Sequence, residues 1–242
     1  MNLLNNFLFA ALPYVAIAVF LAGAIYRYKA RGYTYSALSS QFLEGGGIYL
    51  FSMLFHWGIS IVFLGHLLAF LFPGATLAWH SNPTRLIVDE LVFLAFGLGV
   101  LLALAGLFIR RVSRPRLQMV TSRMDIVIEL LLLAQIVFGL WIALGYRWGY
   151  YWFASDMSPY LWSILKLNPQ IEAVSAMPWV IKAHVVGAFV ILGMLPFTRL
   201  VHFLVAPLHY TWRGYQQVIW YWDRRRVRAP GTAWTTTPPR NN

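Results

Sequence analysis

Long apolar runs alternate with short polar segments along this chain of 242 residues. Crossing about 30 Å of hydrocarbon takes roughly 20 mostly apolar residues in a helix, and five runs reach that length. The pattern therefore predicts an all-α integral membrane protein, a bundle of five transmembrane helices. The predicted helices are residues 4–26, 48–72, 86–109, 126–145 and 179–200.

The composition agrees with a lipid environment. Hydrophobic residues make up 60% of the chain and charged residues 11%, with a mean hydropathy of +0.62. In soluble domains roughly a quarter of the residues are charged. The chain has no cysteine, which excludes disulfides, thiolate-ligated iron–sulfur clusters and covalent c-type haem attachment. A redox centre in this sequence must therefore use histidine or methionine.

The net charge of +11 is unevenly distributed. Basic residues concentrate after the first predicted helix, between the third and fourth, and in the C-terminal tail, and these segments face the same side of the membrane. The positive-inside rule then predicts an external N-terminus and a cytoplasmic C-terminus. We interpret the charge as a topology signal that also meets anionic membrane lipids, and not as a nucleic-acid-binding surface. Residues 1–212 form the predicted membrane domain, and 213–242 a basic cytoplasmic tail that orders only on a partner.

Four histidines stand out because imidazole is rare and costly inside hydrocarbon. His56 and His66 lie in the second predicted helix, and His184 and His202 bracket the fifth. These two helices are antiparallel, so His56 matches His202 in depth. The outer pair is then His66 with His184. Neutral imidazole is the usual axial ligand of b-type haem, so the arrangement predicts two bis-histidine haem b groups, one toward each face.

The two histidine pairs do not have equal spacing along their helices. The first two histidines differ by about 15 Å in helical rise and the other two by about 27 Å, which places the iron centres on the order of 20 Å apart. We expect helix tilt and a kink at Pro196 to absorb the mismatch.

Small and basic residues beside these histidines have two interpretations each. Lys182 and Arg199 are candidate partners for haem propionates, although cations near helix ends also reach toward the interface for solvation alone. Nearby glycines would let a porphyrin lie close to the backbone, but small residues also pack transmembrane helices together. These glycines are Gly58, Gly65, Gly187 and Gly193.

The remaining polar features suggest less chemistry. The connection 146–178 is rich in Trp and Tyr, which favours either an interfacial helix at headgroup depth or a cover over a lipid-soluble substrate. His80 and His209 belong to neither matched pair and are expected to be ordinary interfacial residues. Glu129 either pairs with a basic group, lies at the headgroups or takes part in proton transfer.

Several long, irregular motifs are shared with a known family. They are Pro13-Tyr14, 18–21 (Ala-Val-Phe-Leu), Arg27-Tyr28, Tyr33-Thr34, 39–41 (Ser-Ser-Gln), 54–56 (Leu-Phe-His), Gly65-His66, 113–116 (Ser-Arg-Pro-Arg), 121–126, 196–202 (Pro-Phe-Thr-Arg-Leu-Val-His) and Pro207. On these motifs, which run from the start of the chain into the tail, the protein resembles the gamma subunit, the cytochrome b component, of membrane-bound respiratory nitrate reductase. The connection 146–178 and the last residues fit that family less well.

The resemblance implies the same ligand pairs, with His56 and His202 on the haem nearer the cytoplasm. It implies that menaquinol or ubiquinol is oxidised near the outer haem in the inner membrane of a prokaryotic cell. Electrons then pass inward to an iron–sulfur beta subunit and to a molybdenum-containing alpha subunit that reduces nitrate. The family's quinol site uses a basic residue early in the third helix, typically lysine. Gly65, His66 and Arg85 are the matching candidates here.

Other functions remain open at this stage. A related dihaem cytochrome b could serve another quinone-linked reductase, of the heterodisulfide- or sulfite-reductase type, or a nitrite-oxidising complex. A non-redox membrane anchor would need the histidines only for packing. A histidine-relay transporter is disfavoured because the helices show no inverted repeat.

Overall fold

The computed structural model describes residues 3–34 and 48–205, which belong to one compact unit, Met1–Val205. Among these residues every regular element is helical, and five helices are long and apolar enough to cross a membrane, so the predicted five-helix architecture is confirmed. The motif at 39–41, Pro207, His209 and the tail 213–242 lie outside the described residues. The five long helices are α1 (Leu3–Arg31), α2 (Ile48–Leu71), α3 (Pro83–Ser113), α4 (Arg123–Gly145) and α5 (Trp179–Phe197).

Shorter helical segments connect the long helices. One π-helical turn, Phe7–Ala11, lies inside α1, and the last turn of α5, Leu195–Phe197, is a 3-10 turn. The separate short segments are Gly32–Thr34, Pro73–Trp79, Pro115–Gln118, Gly149–Trp152, Phe153–Met157, Ser158–Leu165, Glu172–Ala176 and Arg199–Val205.

Local sequence explains where α3 and α4 begin. Pro83 takes the first position of α3, where its missing N–H costs nothing, and the Asn82 side chain accepts a hydrogen bond of 2.9 Å from the Thr84 amide. At the start of α4 the Ser122 hydroxyl accepts from the Asp125 amide at 3.2 Å, and the Asp125 carboxylate accepts from the Ser122 amide at 2.8 Å. This reciprocal capping box satisfies two amides that the first helical turn leaves without partners.

The long helices pack as neighbours in a bundle. α2 lies on α3, α3 on α4, and α5 lies against both α1 and α4. The basic residues at the end of α1, at the end of α3 and at the start of α4 gather at one end, which we call the arginine-rich end. It contains Arg27, Arg110, Arg111, Arg114, Arg116 and Arg123.

Glycines allow two of these contacts to be close. A Cβ atom at Gly58 would lie 2.5 Å from Cγ2 of Val100, so the missing side chain lets α2 approach α3. A Cβ at Gly193 would lie 3.5 Å from Cα of Ala16, where α5 meets α1. Both glycines face a neighbouring helix, as small residues in transmembrane bundles commonly do.

The predicted helix 179–200 is wrong at its C-terminal end. Pro196 has no N–H to continue the helical ladder, and Thr198 follows in an extended conformation, with φ −114° and ψ 174°. A new short helix, Arg199–Val205, begins directly after it. His202 therefore lies on a separate segment, and the expected kink at Pro196 is a complete break.

Arg27 of α1 holds this break in place. Its guanidinium donates to the carbonyl of Pro196 at 2.6 Å and to that of Thr198 at 2.8 Å. Carbonyls at a helix end have no partner within the helix and need a donor from elsewhere. Arg27 supplies that donor, so α1 helps to set the position of the segment that carries His202.

The Gly58 contact gives a test of the packing. Gly58→Ala should lower the melting temperature of the detergent-purified protein, because Val100 is only 1% exposed and its β-branched side chain has little room to move. Overpacking of this kind costs about 1–3 kcal/mol. Gly74→Ala is the matched control, since a Cβ there would meet nothing within 4 Å. Equal melting temperatures for the two variants would contradict the close α2–α3 contact.

Candidate functional site

Three of the four predicted ligand histidines share one hydrogen-bond arrangement. Each places Nδ1 next to a backbone carbonyl three or four residues earlier, and a carbonyl can only accept, so Nδ1 carries the proton. In a neutral imidazole this leaves the lone pair on Nε2. The pairs are His56 with the Ser52 carbonyl at 2.7 Å, His66 with that of Val62 at 2.8 Å, and His202 with that of Arg199 at 2.7 Å.

The structure brings His56 and His202 together. Their ring centres are 6.5 Å apart, with an angle of 59° between the ring planes. Two imidazoles bound on opposite sides of one metal ion, each through a bond of about 2.0 Å, have ring centres about 6 Å apart. Within the described ranges neither Nε2 atom has a hydrogen-bond partner. The spacing and the free lone pairs therefore fit two axial ligands of one iron.

The orientation of these rings also fits a metal site. A metal-bound histidine usually donates its second N–H to a carbonyl or carboxylate, which fixes the tautomer and the ring plane. His56, on α2, and His202, on the short helix after the break, both do so. The residues present are thus suited to hold a b-type haem near the arginine-rich end.

His66 lies toward the opposite end of α2. Its side chain is exposed. Its ring centre is 5.5 Å from that of Phe153 and 6.5 Å from that of Tyr150. The pairing of His66 with His184 stays a prediction.

His184 differs from the other three histidines. Its Nδ1 is buried and has no hydrogen-bond partner in the part of the chain that the structure describes. A glycine that sequence reasoning missed, Gly139 of α4, lies against this ring, and a Cβ there would come within 3.2 Å of its Cε1. Gly139 therefore makes room for the imidazole ring itself. The buried nitrogen without a partner is the feature that calls for a further group, such as a metal ion.

The aromatic connection covers the His66 end of α2. The Ser158 hydroxyl donates to the Ala69 carbonyl at 3.0 Å, and the Trp162 indole donates to the Phe70 carbonyl at 2.9 Å. Tyr160 is only 2% exposed. The connection therefore packs against the bundle, and its role as a cover over a lipid-soluble substrate stays a prediction.

The glycines singled out from the sequence face protein. A Cβ at Gly65 would collide with the Tyr150 hydroxyl and the Phe93 ring, and one at Gly187 would collide with the Gln135 side chain. Together with the two glycines at helix contacts described above, all four make room for neighbouring side chains or backbone. The interpretation that they seat a porphyrin is therefore wrong, and the packing alternative holds.

The two predicted propionate partners have protein contacts of their own. Arg199 pairs with Asp125 at 3.0 Å and donates to the Val120 carbonyl at 2.5 Å. Lys182 donates to the Ser175 carbonyl at 3.2 Å. A contact of either cation with a propionate stays a prediction.

Asp125 joins Arg199 to a buried charge cluster. Asp125 is 4% exposed and also lies 4.0 Å from Arg111, whose Nε pairs with Glu129 at 2.7 Å. The first alternative for Glu129, a pair with a basic group, is thus the one observed. Since the Arg199 carbonyl accepts from His202, this cluster also positions that histidine.

The expectation for His80 is wrong. His80 is only 6% exposed, and its Nε2 donates to the Asp89 carboxylate at 3.0 Å. The Trp79 indole donates to the same oxygen at 2.9 Å, and the guanidinium of Arg85 lies 4.4 Å from the centre of the Trp79 ring. Arg85 therefore lies near His80, through its contact with the Trp79 ring. Asn82 is the signal in the sequence that could have predicted this contact. The tight turn at Asn82 folds residues 79 and 80 back onto the first turns of α3.

Comparisons with known proteins agree on one family. A family model described as the nitrate reductase gamma subunit matches residues 5–221. The gamma chain of respiratory nitrate reductase 2 from Escherichia coli K12 is 33% identical, with 89% of this chain and 96% of the relative aligned. The nitrate reductase gamma chain of Bacillus subtilis 168 is 31% identical over 87% and 96%. The gamma chain of respiratory nitrate reductase 1 from Escherichia coli K12 is 32% identical over 90% and 98%.

The charge cluster can be tested with Asp125→Asn. The amide keeps the shape of the cap but leaves the partly buried Arg199 without its carboxylate, which should cost about 1–2 kcal/mol. Thermal unfolding in detergent would report this as a lower melting temperature. Asp156→Asn is the control, because that carboxylate accepts from the adjacent Ser155 hydroxyl near the surface. An equal shift in both variants would contradict a specific role for Asp125.

Proposed function

The chain belongs to the nitrate reductase gamma subunit family, and on that premise we propose that it is a membrane cytochrome b subunit that oxidises quinol near the outer face. It delivers electrons through two bis-histidine b haems to an iron–sulfur subunit of a nitrate reductase on the cytoplasmic side. The observation that carries this proposal is the facing pair of His56 and His202, with ring centres 6.5 Å apart. The 6.5 Å separation supports two imidazoles that share one metal ion, and helix packing alone does not require it.

The geometry supports the proposed ligand sets. His56 and His202 would hold the haem near the arginine-rich end, and His66 and His184 would hold the other. Bis-histidine haem supplies one-electron transfer and has no open iron position for a substrate. Nitrate is therefore reduced on a partner subunit, consistent with a chain that lacks the cysteines an iron–sulfur cluster requires.

The arginine-rich end is the proposed cytoplasmic face. Arg110 and Arg111 at the end of α3 and Arg123 at the start of α4 lie there, and the positive-inside rule places such residues in the cytoplasm. The N-terminus then lies on the outer side, and the membrane is the inner membrane of a prokaryotic cell. This arginine-rich surface is the proposed docking face for the beta and alpha subunits, and membrane lipids surround the bundle.

The proposed quinol site lies at the other end, beside His66. Gly65 seats the Tyr150 hydroxyl next to His66, and the aromatic cover shields this region from water. Arg85 lies at the edge of the same region through its contact with Trp79 and is the cation that favours an anionic form of the substrate. Either menaquinol or ubiquinol suits these aromatic and aliphatic surroundings.

Haem stoichiometry tests the ligand assignment. The purified protein should carry about two haem b groups per chain, and His202→Ala or His66→Ala should reduce the ratio to about one by removing one of two axial ligands. The pyridine haemochrome spectrum with a protein assay gives the ratio. His209→Ala, which belongs to neither pair, should keep the full ratio. A colourless wild-type protein would refute the proposal and favour a non-redox anchor.

The direction of electron flow can be tested in the assembled complex. With His202→Ala, quinol should still reduce the remaining haem, because the outer site is intact, while quinol-driven nitrate reduction is lost. Absorbance in the haem α-band and nitrite formation measure the two steps separately. Continued nitrate reduction in this variant would show that electrons do not need the inner haem.

A further inference from the structure

A buried acid–base pair lies outside the two histidine pairs. His80, in the connection between α2 and α3, donates from Nε2 to Oδ2 of Asp89 at 3.0 Å. Because the carboxylate accepts this hydrogen bond, Nδ1 is left as the acceptor of a neutral ring. That Nδ1 is buried and, among residues 3–34 and 48–205, has no hydrogen-bond partner. Such an unsatisfied atom costs about 1–3 kcal/mol, which a purely structural histidine would avoid.

Tyr150 connects His80 with the outer histidine site. Its ring centre lies 5.4 Å from that of His80 and 6.5 Å from that of His66. The Tyr150 hydroxyl is also buried and without a partner in the described part of the chain, and it packs on the backbone of Gly65. Burial, with the negative charge of Asp89, raises the pKa of Tyr150 far above its usual value, so the hydroxyl keeps its proton at neutral pH.

Asp89 gives the pair access to solvent. Its side chain is 33% exposed, whereas that of His80 is 5% exposed. The other charged groups near the pair are Arg85, which lies on the Trp79 ring, and Glu90, whose carboxylate accepts from the Gly149 amide at 2.9 Å. His80 thus has an accepting nitrogen on the buried side and a carboxylate on the side that reaches water.

We propose that His80, paired with Asp89, accepts the proton released at the outer quinol site, and that Tyr150 relays it. This inference rests on the proposed function. The O–H bond of the quinol breaks and its proton moves to the Tyr150 oxygen, while the Tyr150 proton forms an N–H bond at Nδ1 of His80. A b-type haem, if held by His66 and His184, would supply the one-electron oxidant for that hydroxyl. Asp89 stabilises the imidazolium, which then returns its proton to water.

The arrangement has the physical features of an acid–base relay. A carboxylate beside an imidazole holds one tautomer and makes the opposite nitrogen more basic. His80 acts through Tyr150 and is therefore a positioning and relay residue rather than a ligand of the substrate.

His80→Gln tests the relay in membranes that contain the complete complex. The first readout is the rate at which quinol reduces haem b across pH 5.5–8.5. In the wild type this rate should fall toward acidic pH, and in the variant it should be lower by about a hundredfold and lack the acidic limb. His209→Gln is the matched control and should behave as the wild type.

The second readout is the equilibrium affinity of the oxidised protein for a hydroxyquinoline N-oxide, a quinol analogue that is not oxidised. Wild-type affinity should weaken toward acidic pH, because a doubly protonated imidazole offers Tyr150 no acceptor at Nδ1. The affinity of His80→Gln should be independent of pH over this range. Asp89→Asn, which keeps the imidazole but removes the carboxylate that stabilises its cation, should lower the rate of haem reduction with an unchanged haem-to-protein ratio.

The outcomes separate this inference from the proposed function. If quinol fails to reduce haem in the wild type while dithionite succeeds, the proposed function is wrong. If quinol reduces the wild type and His80→Gln keeps the same pH dependence in both readouts, the relay is wrong. A normal haem ratio in His80→Gln would exclude misfolding as the cause of a lost acidic limb.

Discussion

The hydrogen bond from imidazole Nδ1 to a carbonyl one turn earlier is the constraint on which the proposed function depends. In a bundle surrounded by hydrocarbon, an imidazole has few partners other than the backbone of its own helix. His56 and His66 therefore donate their N–H to carbonyls of α2 itself, and His202 donates to a carbonyl of its own short helix. The remaining lone pair of each ring is directed away from its own helix. A polar group thus satisfied on one side is ready to bind a metal on the other.

Contacts at the arginine-rich end fix the position of His202, which follows a helix break. Pro196 ends α5, which leaves carbonyls without donors, and Arg27 of α1 satisfies two of them. Arg199 is held by Asp125 at the start of α4. Contacts from two separate helices therefore fix a short segment that a 3-10 turn alone would hold poorly. Charges at this end therefore serve the internal geometry of the bundle.

The opposite end is organised by aromatic rings in place of ion pairs. Tyr150 and Phe153 approach His66 from the connection after α4, and Tyr150 also meets His80. The hydroxyl of Tyr150 is admitted only because Gly65 has no side chain. At this end a largely apolar region under the connection therefore lies next to a buried histidine–carboxylate pair. This combination suits a lipid-soluble substrate that must lose protons to water.

By itself the sequence determined the five spans, the antiparallel relation of α2 and α5, and the histidines that match in depth. These follow from helix length, hydropathy and loop charge, which are local properties of the chain. The rotation of each helix about its axis was decided by tertiary structure, because helices that are apolar on every face carry no amphipathic signal for it. The glycines consequently face Val100, Ala16, Gln135 and Tyr150 rather than a porphyrin. Likewise, the structure ends α5 before Thr198, whereas the hydropathy pattern predicted a helix that continues past it. His80 is buried because Asp89, nine residues away along the chain, packs against it.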